Sequence, residues 1–178
     1  MEDSRQQHEA DSEASQLISF MVGQEEYGLE ILRVKEVIRM REITRLPRAP
    51  RFVKGIINLR GDVIPIIDLR DRFGLEHREY TETTRVIVVD MGGKLIGMVV
   101  DAASQVVRIP AGQIEPPPPI IGSISAEYIK GVGKLGERLI ILVNIERILS
   151  AREQVELSRI DNHETAHREA VLTEQGGK

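Results

Sequence analysis

The sequence predicts a mostly β chain built from two similar modules, each of about five short strands closed into a small barrel and packed through a shared apolar seam. Three observations predict it. The first is an internal repeat. Laying Gly28 on Gly97, a shift of 97 − 28 or 69 residues, sets Leu17 on Val86, Ile18 on Ile87, Phe20 on Val89, Gly23 on Gly92, Leu29 on Met98, Ile31 on Val100 and Val37 on Val106. Laying Lys54 on Lys130, a shift of 130 − 54 or 76 residues, sets Gly55 on Gly131, Ile56 on Val132, Leu59 on Leu135, Ile64 on Ile140, Ile66 on Leu142, Asp68 on Asn144 and Leu69 on Ile145. The difference between the shifts falls in a Pro-rich loop, where no ladder has to keep register. The second observation is the run Lys54 to Arg70, two β-branched segments around Asn58-Leu59-Arg60-Gly61, which reads as a tight hairpin. The third is composition: aromatics are 3% and Trp is absent, so Ile, Val, Leu and Met must build the core. A period near 70 is too long for a solenoid repeat. Sheets this small remove their edges by closing, and modules this small need each other's apolar surface.

The elements follow in order. Residues 1–15 hold Glu2, Asp3, Glu9, Asp11 and Glu13 against Arg5 alone and read as a disordered acidic leader. Leu17, Ile18, Phe20 and Val22, then Gly23-Gln24-Glu25-Glu26, then Tyr27-Gly28-Leu29 read as strand, turn, strand. Ile31, Val34, Val37 and Ile38 fit a helical stripe, while their β-branched character suits a strand; a single helical turn passing into a strand reconciles the two. Pro47 and Pro50 mark a loop before the central hairpin, in which Gly61 can supply the positive φ of the turn and leave the Arg60 guanidinium free. Leu69 to Phe73 reads as one helical turn stopped by Gly74, and Thr84 to Val89 and Leu95 to Val100 as strands around Met91-Gly92-Gly93-Lys94. Val106 to Ile109 is a short strand, and Pro116 to Pro119 stiffens the connection that follows. Tyr128 to Val132 and Leu139 to Ile145 close the folded part. Ser150-Ala151-Arg152-Glu153 has capping-box spacing and opens a short C-terminal helix, with a flexible tail to residue 178.

Composition excludes several classes. There is no Cys, which removes disulfides, thiolate catalysis and Cys-based zinc sites. A net charge of −4 over 178 residues is not the footprint of a general nucleic-acid binder, and few aromatics leave no base-stacking platform. No apolar run approaches the roughly 20 residues needed to span a bilayer, so the chain reads as cytoplasmic. No phosphate loop, dinucleotide fingerprint, zinc-protease or nucleophile-elbow motif is present. Asp68, Asp71, Asp90 and Asp101 are unpaired by any motif, and His8, His77, His163 and His167 lie in tails or loops. No catalytic residue, metal or cofactor is expected. What stands out is a surface: Arg33, Lys35, Arg39, Arg41, Arg45, Arg48, Arg51, Lys54 and Arg60 concentrate in the first module, with Val34 and Ile38 among them, as in a protein-contact zone. Arg60 falls on Gly136 and Pro65 on Ile141 in the repeat, so the Asn58-Leu59-Arg60-Gly61 turn belongs to one module only. A feature the duplicated scaffold does not need is a candidate for function.

These residues carry a resemblance. Phe20, Glu26-Tyr27-Gly28, Val34, Glu36-Val37, Leu46-Pro47, Phe52 through Gly61, Ile64-Pro65, Asp68-Leu69-Arg70, Gly97, Val100-Asp101 and Ile129-Lys130-Gly131 resemble the CheW family of chemotaxis coupling proteins. The likeness spans residues 16–150. It implies two intertwined five-stranded SH3-like barrels with a boundary near 80–84, across which strands can be exchanged. It also implies a non-enzymatic adaptor, recruited to membrane-associated arrays, that joins the cytoplasmic tip of methyl-accepting chemoreceptors to the regulatory domain of the histidine kinase CheA. By motif, the receptor site in a groove between the barrels would include Val34, Glu36, Lys54, Gly55, Asn58 and Arg60. Gly131, Gly133 and Leu135 of the second module would face the kinase. Neither nucleic acid nor direct membrane insertion is expected. The leading alternative is a nucleic-acid-binding small β-barrel, favoured by the cations and opposed by the scarcity of aromatics and the acidic balance; an enzyme comes third.

Overall fold

The computed structural model describes residues 14–118 and 126–159. Eleven strands are present among them: β1 Ser15–Val22, β2 Glu25–Glu30, β3 Val34–Arg39, β4 Val53–Leu59, β5 Asp62–Asp68, β6 Arg85–Met91, β7 Lys94–Val100, β8 Ala102–Ile109, β9 Ile114–Glu115, β10 Ile129–Leu135 and β11 Arg138–Val143. Short helices α1 Leu69–Arg72 and α2 Ile145–Ile148 follow β5 and β11, and α3 covers 151–159. The ambiguous segment resolves as a 3₁₀ turn, Ile31–Arg33, running into β3. The capping box forms: the Ser150 amide donates to Glu153 Oε1 at 3.0 Å and the Glu153 amide to Ser150 Oγ at 3.2 Å. Ser15, assigned to the leader, already lies in β1, and Ile145, the last residue of the closing run from Leu139, opens α2. Residues 1–13 and 160–178, with His8, His163 and His167, lie outside the described residues, as does Pro119 of the proline run.

The strands form two sheets, ordered β8-β1-β2-β11-β10-β9 and β3-β6-β7-β5-β4. The duplication is visible in their register. Ile18 pairs with Val106 in one sheet, and their repeat equivalents, Ile87 and Val37, pair in the other. The parallel contacts match too: Leu142 on Gly28, and Ile66 on Gly97. The leading hairpin of each repeat has changed places. Hairpin β1–β2 lies between β8 and β11 of the second repeat, and β6–β7 lies between β3 and β5 of the first. Each sheet therefore draws strands from both halves of the chain.

Closed five-stranded barrels are not what the ladders form, and one sheet has six strands. In each module the chain itself turns the corner. After β3 it reaches the edge strand β4 through one bridge, Thr44 to Ile56, and after β8 it bends at Pro110 into the two-residue β9, where Glu115 meets Val132 of β10. Ile56 and Val132 are repeat equivalents, so the same corner is built twice.

Three apolar clusters follow from the alternation of side chains along the strands. Ile57, Leu59, Ile64, Ile66, Val86, Val88 and Val99 fill one module; Leu17, Val107, Ile109, Ile140 and Leu142 fill the other. The largest lies between them, joining Phe20, Val22, Tyr27 and Leu29 to Ile67, Phe73, Ile87, Val89 and Met98. Strand β6 thus sends Val86 and Val88 into one core and Ile87 and Val89 into the seam, which is why it reads as an unbroken apolar run. A row of rings, Phe20, Tyr27, Phe73 and Tyr128, runs through the seam with centroids 5.0 to 6.3 Å apart.

Candidate functional site

Hairpin β4–β5 is closed by two residues, Arg60 and Gly61, with φ of 51° and 91°. Two positive φ values in succession make the type I′ turn whose twist matches the flanking strands. Among the described residues Arg60 is the only non-glycine with positive φ. Such a backbone costs a side-chain-bearing residue about 1–2 kcal/mol. Neighbours hold the turn. Asn58 Oδ1 accepts from the Gly61 amide at 2.9 Å, and the Arg41 guanidinium donates to the Asn58 carbonyl at 3.5 Å. The Arg60 guanidinium is not free, as the sequence reading had it. Its Nη2 donates to Glu36 Oε1 at 2.5 Å, because β3 and β4, opposite edges of the five-stranded sheet, are brought together where the sheet curls. The Arg60 side chain is still 70% exposed, against 29% for Glu36.

The other predicted receptor residues divide. Asn58, Arg60 and Glu36 are held together, and Val34 lies two positions before Glu36 in β3, across a register shift, half-buried against the seam. Lys54 and Gly55 sit at the far end of β4, about 20 Å along the strand from Arg60. Lys54 pairs with Asp71 of α1. Gly55 is buried with φ of 154°, and a Cβ there would stand 2.3 Å from the Thr44 carbonyl oxygen, so its geometry serves the corner bridge. The predicted kinase residues behave alike: a Cβ on Gly131 would lie 2.9 Å from the Glu115 carbonyl oxygen and one on Gly133 2.5 Å from Ile109 Cδ1, while Leu135 packs against the second module's core. What that module offers to solvent is a cleft of about 550 Å³ lined by Met21, Glu26, Val132, Arg138, Leu139 and Ile141, with Leu139 59% exposed and Arg138 paired to Glu26. Sequence reasoning passed over it because Leu139 and Ile141 read simply as strand interior.

The cationic surface is partly neutralised. Arg33 pairs with Glu146, Lys35 with Asp90 at 3.8 Å, and Lys54 and Arg60 as above. Four of its nine cations thus already face carboxylates, which weakens the surface as a phosphate track.

One arrangement escaped the sequence reading. Asp101, which no sequence motif pairs, receives both arms of Arg70: Nε to Oδ1 at 2.8 Å and Nη2 to Oδ2 at 2.7 Å. The Gly23 amide adds a bond to Oδ2 at 2.8 Å, and Arg70 Nη1 reaches the Glu76 carbonyl at 3.0 Å. The pair therefore ties α1 to the β1–β2 turn across the two sheets. Burial alone would raise the Asp101 carboxyl, but Arg70 and the Gly23 amide together hold it below its ordinary range. Burial pushes the neighbouring Asp68 carboxyl up, against the Arg70 amide and the Tyr80 hydroxyl that favour its charged form. Asp68, Asp71 and His77 bring possible ligand atoms within 4.8 Å of one another, yet hydrogen bonds occupy Asp68 and Lys54 occupies Asp71. No helix among the described residues is long and apolar enough to cross a membrane.

Residues 16–153 match the CheW-like domain family. The chain is 42% identical over 152 residues to a chemotaxis protein CheW of Klebsiella aerogenes, covering 85% of this chain and 90% of that one. It is 32% identical over 142 residues to the protein FrzA of Myxococcus xanthus, covering 79% and 88%. The crystal structure of the scaffolding protein TtCheW from Thermoanaerobacter tengcongensis superposes with a TM-score of 0.72 at 36% identity, over 79% of this chain and 95% of that one.

Proposed function

The chain belongs to the CheW-like family, and from that premise we propose that it is a non-enzymatic scaffold of chemotaxis signalling that couples chemoreceptors to the histidine kinase CheA. The observation that carries the reading is Arg60, an exposed cation kept on a strained turn whose counterpart in the other module is Gly136. The receptor tip docks on the first module around Arg60, Glu36, Asn58 and Val34. The kinase's regulatory domain docks on the second, where the cleft around Leu139 and Arg138 supplies exposed apolar surface. Gly55, Gly131 and Gly133 support these surfaces from beneath. Each contact can then be weak, because holding one partner raises the effective concentration of the other. Such a protein works in the cytoplasm, at membrane-associated receptor arrays.

The test is a crossed pair of variants. Arg60→Ala is expected to weaken co-sedimentation with receptor-tip fragments by at least about tenfold while kinase binding stays intact; Leu139→Asp does the reverse. Both positions are exposed, so both variants should melt with the wild type. A folded Arg60→Ala protein that binds receptor normally would defeat the assignment.

A further inference from the structure

Resting on the receptor reading above, we propose that the Glu36–Arg60 pair is split on docking. The partner offers a carboxylate to Arg60 and a cation to Glu36, the two carried three or four residues apart on one helix.

The internal pair cannot be the reason for an Arg at this position. An exposed ion pair contributes about 0.2–1 kcal/mol, no more than the left-handed backbone of Arg60 costs. The fold has a cheaper solution, because the equivalent turn residue, Gly136, adopts nearly the same φ of 62° without a side chain. The turn that carries it is nonetheless held by the Asn58 bond to Gly61 and by Arg41 on the Asn58 carbonyl, and the guanidinium itself is held by Glu36. Glu36 thus acts as a stand-in that orients the cation before the partner arrives, which lowers the entropy lost on binding.

Exchange leaves a second requirement. Glu36 sits on β3 beside half-buried Val34, with its side chain 29% exposed. If only a carboxylate arrives for Arg60, Glu36 becomes a covered charge without a counterion, which costs more than the new bond contributes. A partner cation next to the partner acid removes that cost. Opposite charges at i and i+3 or i+4 of a helix stand roughly 5–6 Å apart between Cβ atoms, close enough to meet two side chains that already touch. The surface therefore selects a helix bearing an adjacent acid and base over one that is merely acidic or merely basic.

The experiment is a charge swap, Glu36→Arg with Arg60→Glu, which keeps an internal pair and inverts its polarity. Binding is measured to a soluble chemoreceptor fragment carrying the helical tip, and to fragments in which each acid–base pair of the tip is inverted in turn. The swapped protein is expected to lose at least about tenfold in affinity for the native tip and to recover most of it with one inverted tip. Unchanged binding to the native tip, or a loss that no inverted tip restores, overturns the exchange. If the swapped chain does not fold, a double-mutant cycle between Arg60→Gln and neutralisation of the tip acid replaces it; coupling is expected, and strict additivity overturns the proposal. A wild-type chain that fails to bind the native tip defeats the receptor reading itself, an outcome distinct from all of these.

Discussion

Hairpins β4–β5 and β10–β11 occupy the same place in the two repeats, and they differ most at one residue. Each reaches its turn through the same alternation of buried positions, each is crossed at its first strand by the corner of its own module, and each needs a left-handed residue at the tip. The second hairpin answers with Gly136 and the first with Arg60. The scaffold's requirement is thus read from the copy that satisfies it cheaply, and the copy that does not marks where another demand has entered. The same contrast recurs beneath the hairpins. Buried Arg70 of the first repeat pairs with Asp101 of the second; the equivalent positions are Glu146 and Leu32, and there Glu146 pairs at the surface with Arg33 while Leu32 is 92% exposed.

The largest expected effect comes from breaking the buried member of that second contrast. Asp101→Ala leaves the Arg70 guanidinium, 8% exposed, without its carboxylate. The expected loss, measured by urea denaturation, is about 3 kcal/mol, the low end for a broken buried pair because Asp101 is itself a third exposed. Glu146→Ala, at the exposed counterpart, should change stability by less than about 0.5 kcal/mol. Acid sharpens the distinction. The Asp101 carboxyl titrates lower in the folded protein than in the unfolded chain, so its contribution is present above the unfolded value of about 3.9 and is lost as pH falls through the lower folded value. An Asp101→Asn protein should lack that share of the acid dependence.

Smaller losses come from the corner glycines. A Cβ at Gly55 meets backbone at 2.3 Å and the residue has positive φ, whereas at Gly131 the approach is 2.9 Å and the φ is ordinary. Gly55→Ala should cost about 2–3 kcal/mol and Gly131→Ala about 1 kcal/mol, read as shifts in the same denaturation midpoint. Equal losses would mean that the closer backbone approach and the positive φ at Gly55 add nothing to the cost. The smallest effect has the opposite sign. Arg60→Gly should stabilise the protein by about 1 kcal/mol while abolishing receptor-tip binding, and Gly136→Arg should cost a similar amount and create no binding.

The repeat was legible because register demands it: glycines and β-branched residues recur at fixed offsets wherever strands must meet in the same way twice. Arg60 was legible as the position where the copies disagree. The exchange of hairpins came only with the family resemblance, since alternation says which face a residue takes and not which strand lies beside it. Two strands of one repeat and their counterparts are interchangeable by pattern alone. The Arg70–Asp101 pair was hidden for a related reason. Its members are 31 residues apart and each sits at the end of an apolar run, where a lone charge usually means only solvent. Glu36 meeting Arg60 depends on the curl of a whole sheet, which no local window carries.

The interleaving of β1–β2 and β6–β7 has a practical corollary. A chain severed in the loop between α1 and β6 yields two fragments, each missing the central ribbon of its own sheet and each holding the one the other lacks. Neither piece holds all the strands of a layer, so mixing them is expected to restore both layers together, as in a split reporter whose halves assemble reciprocally.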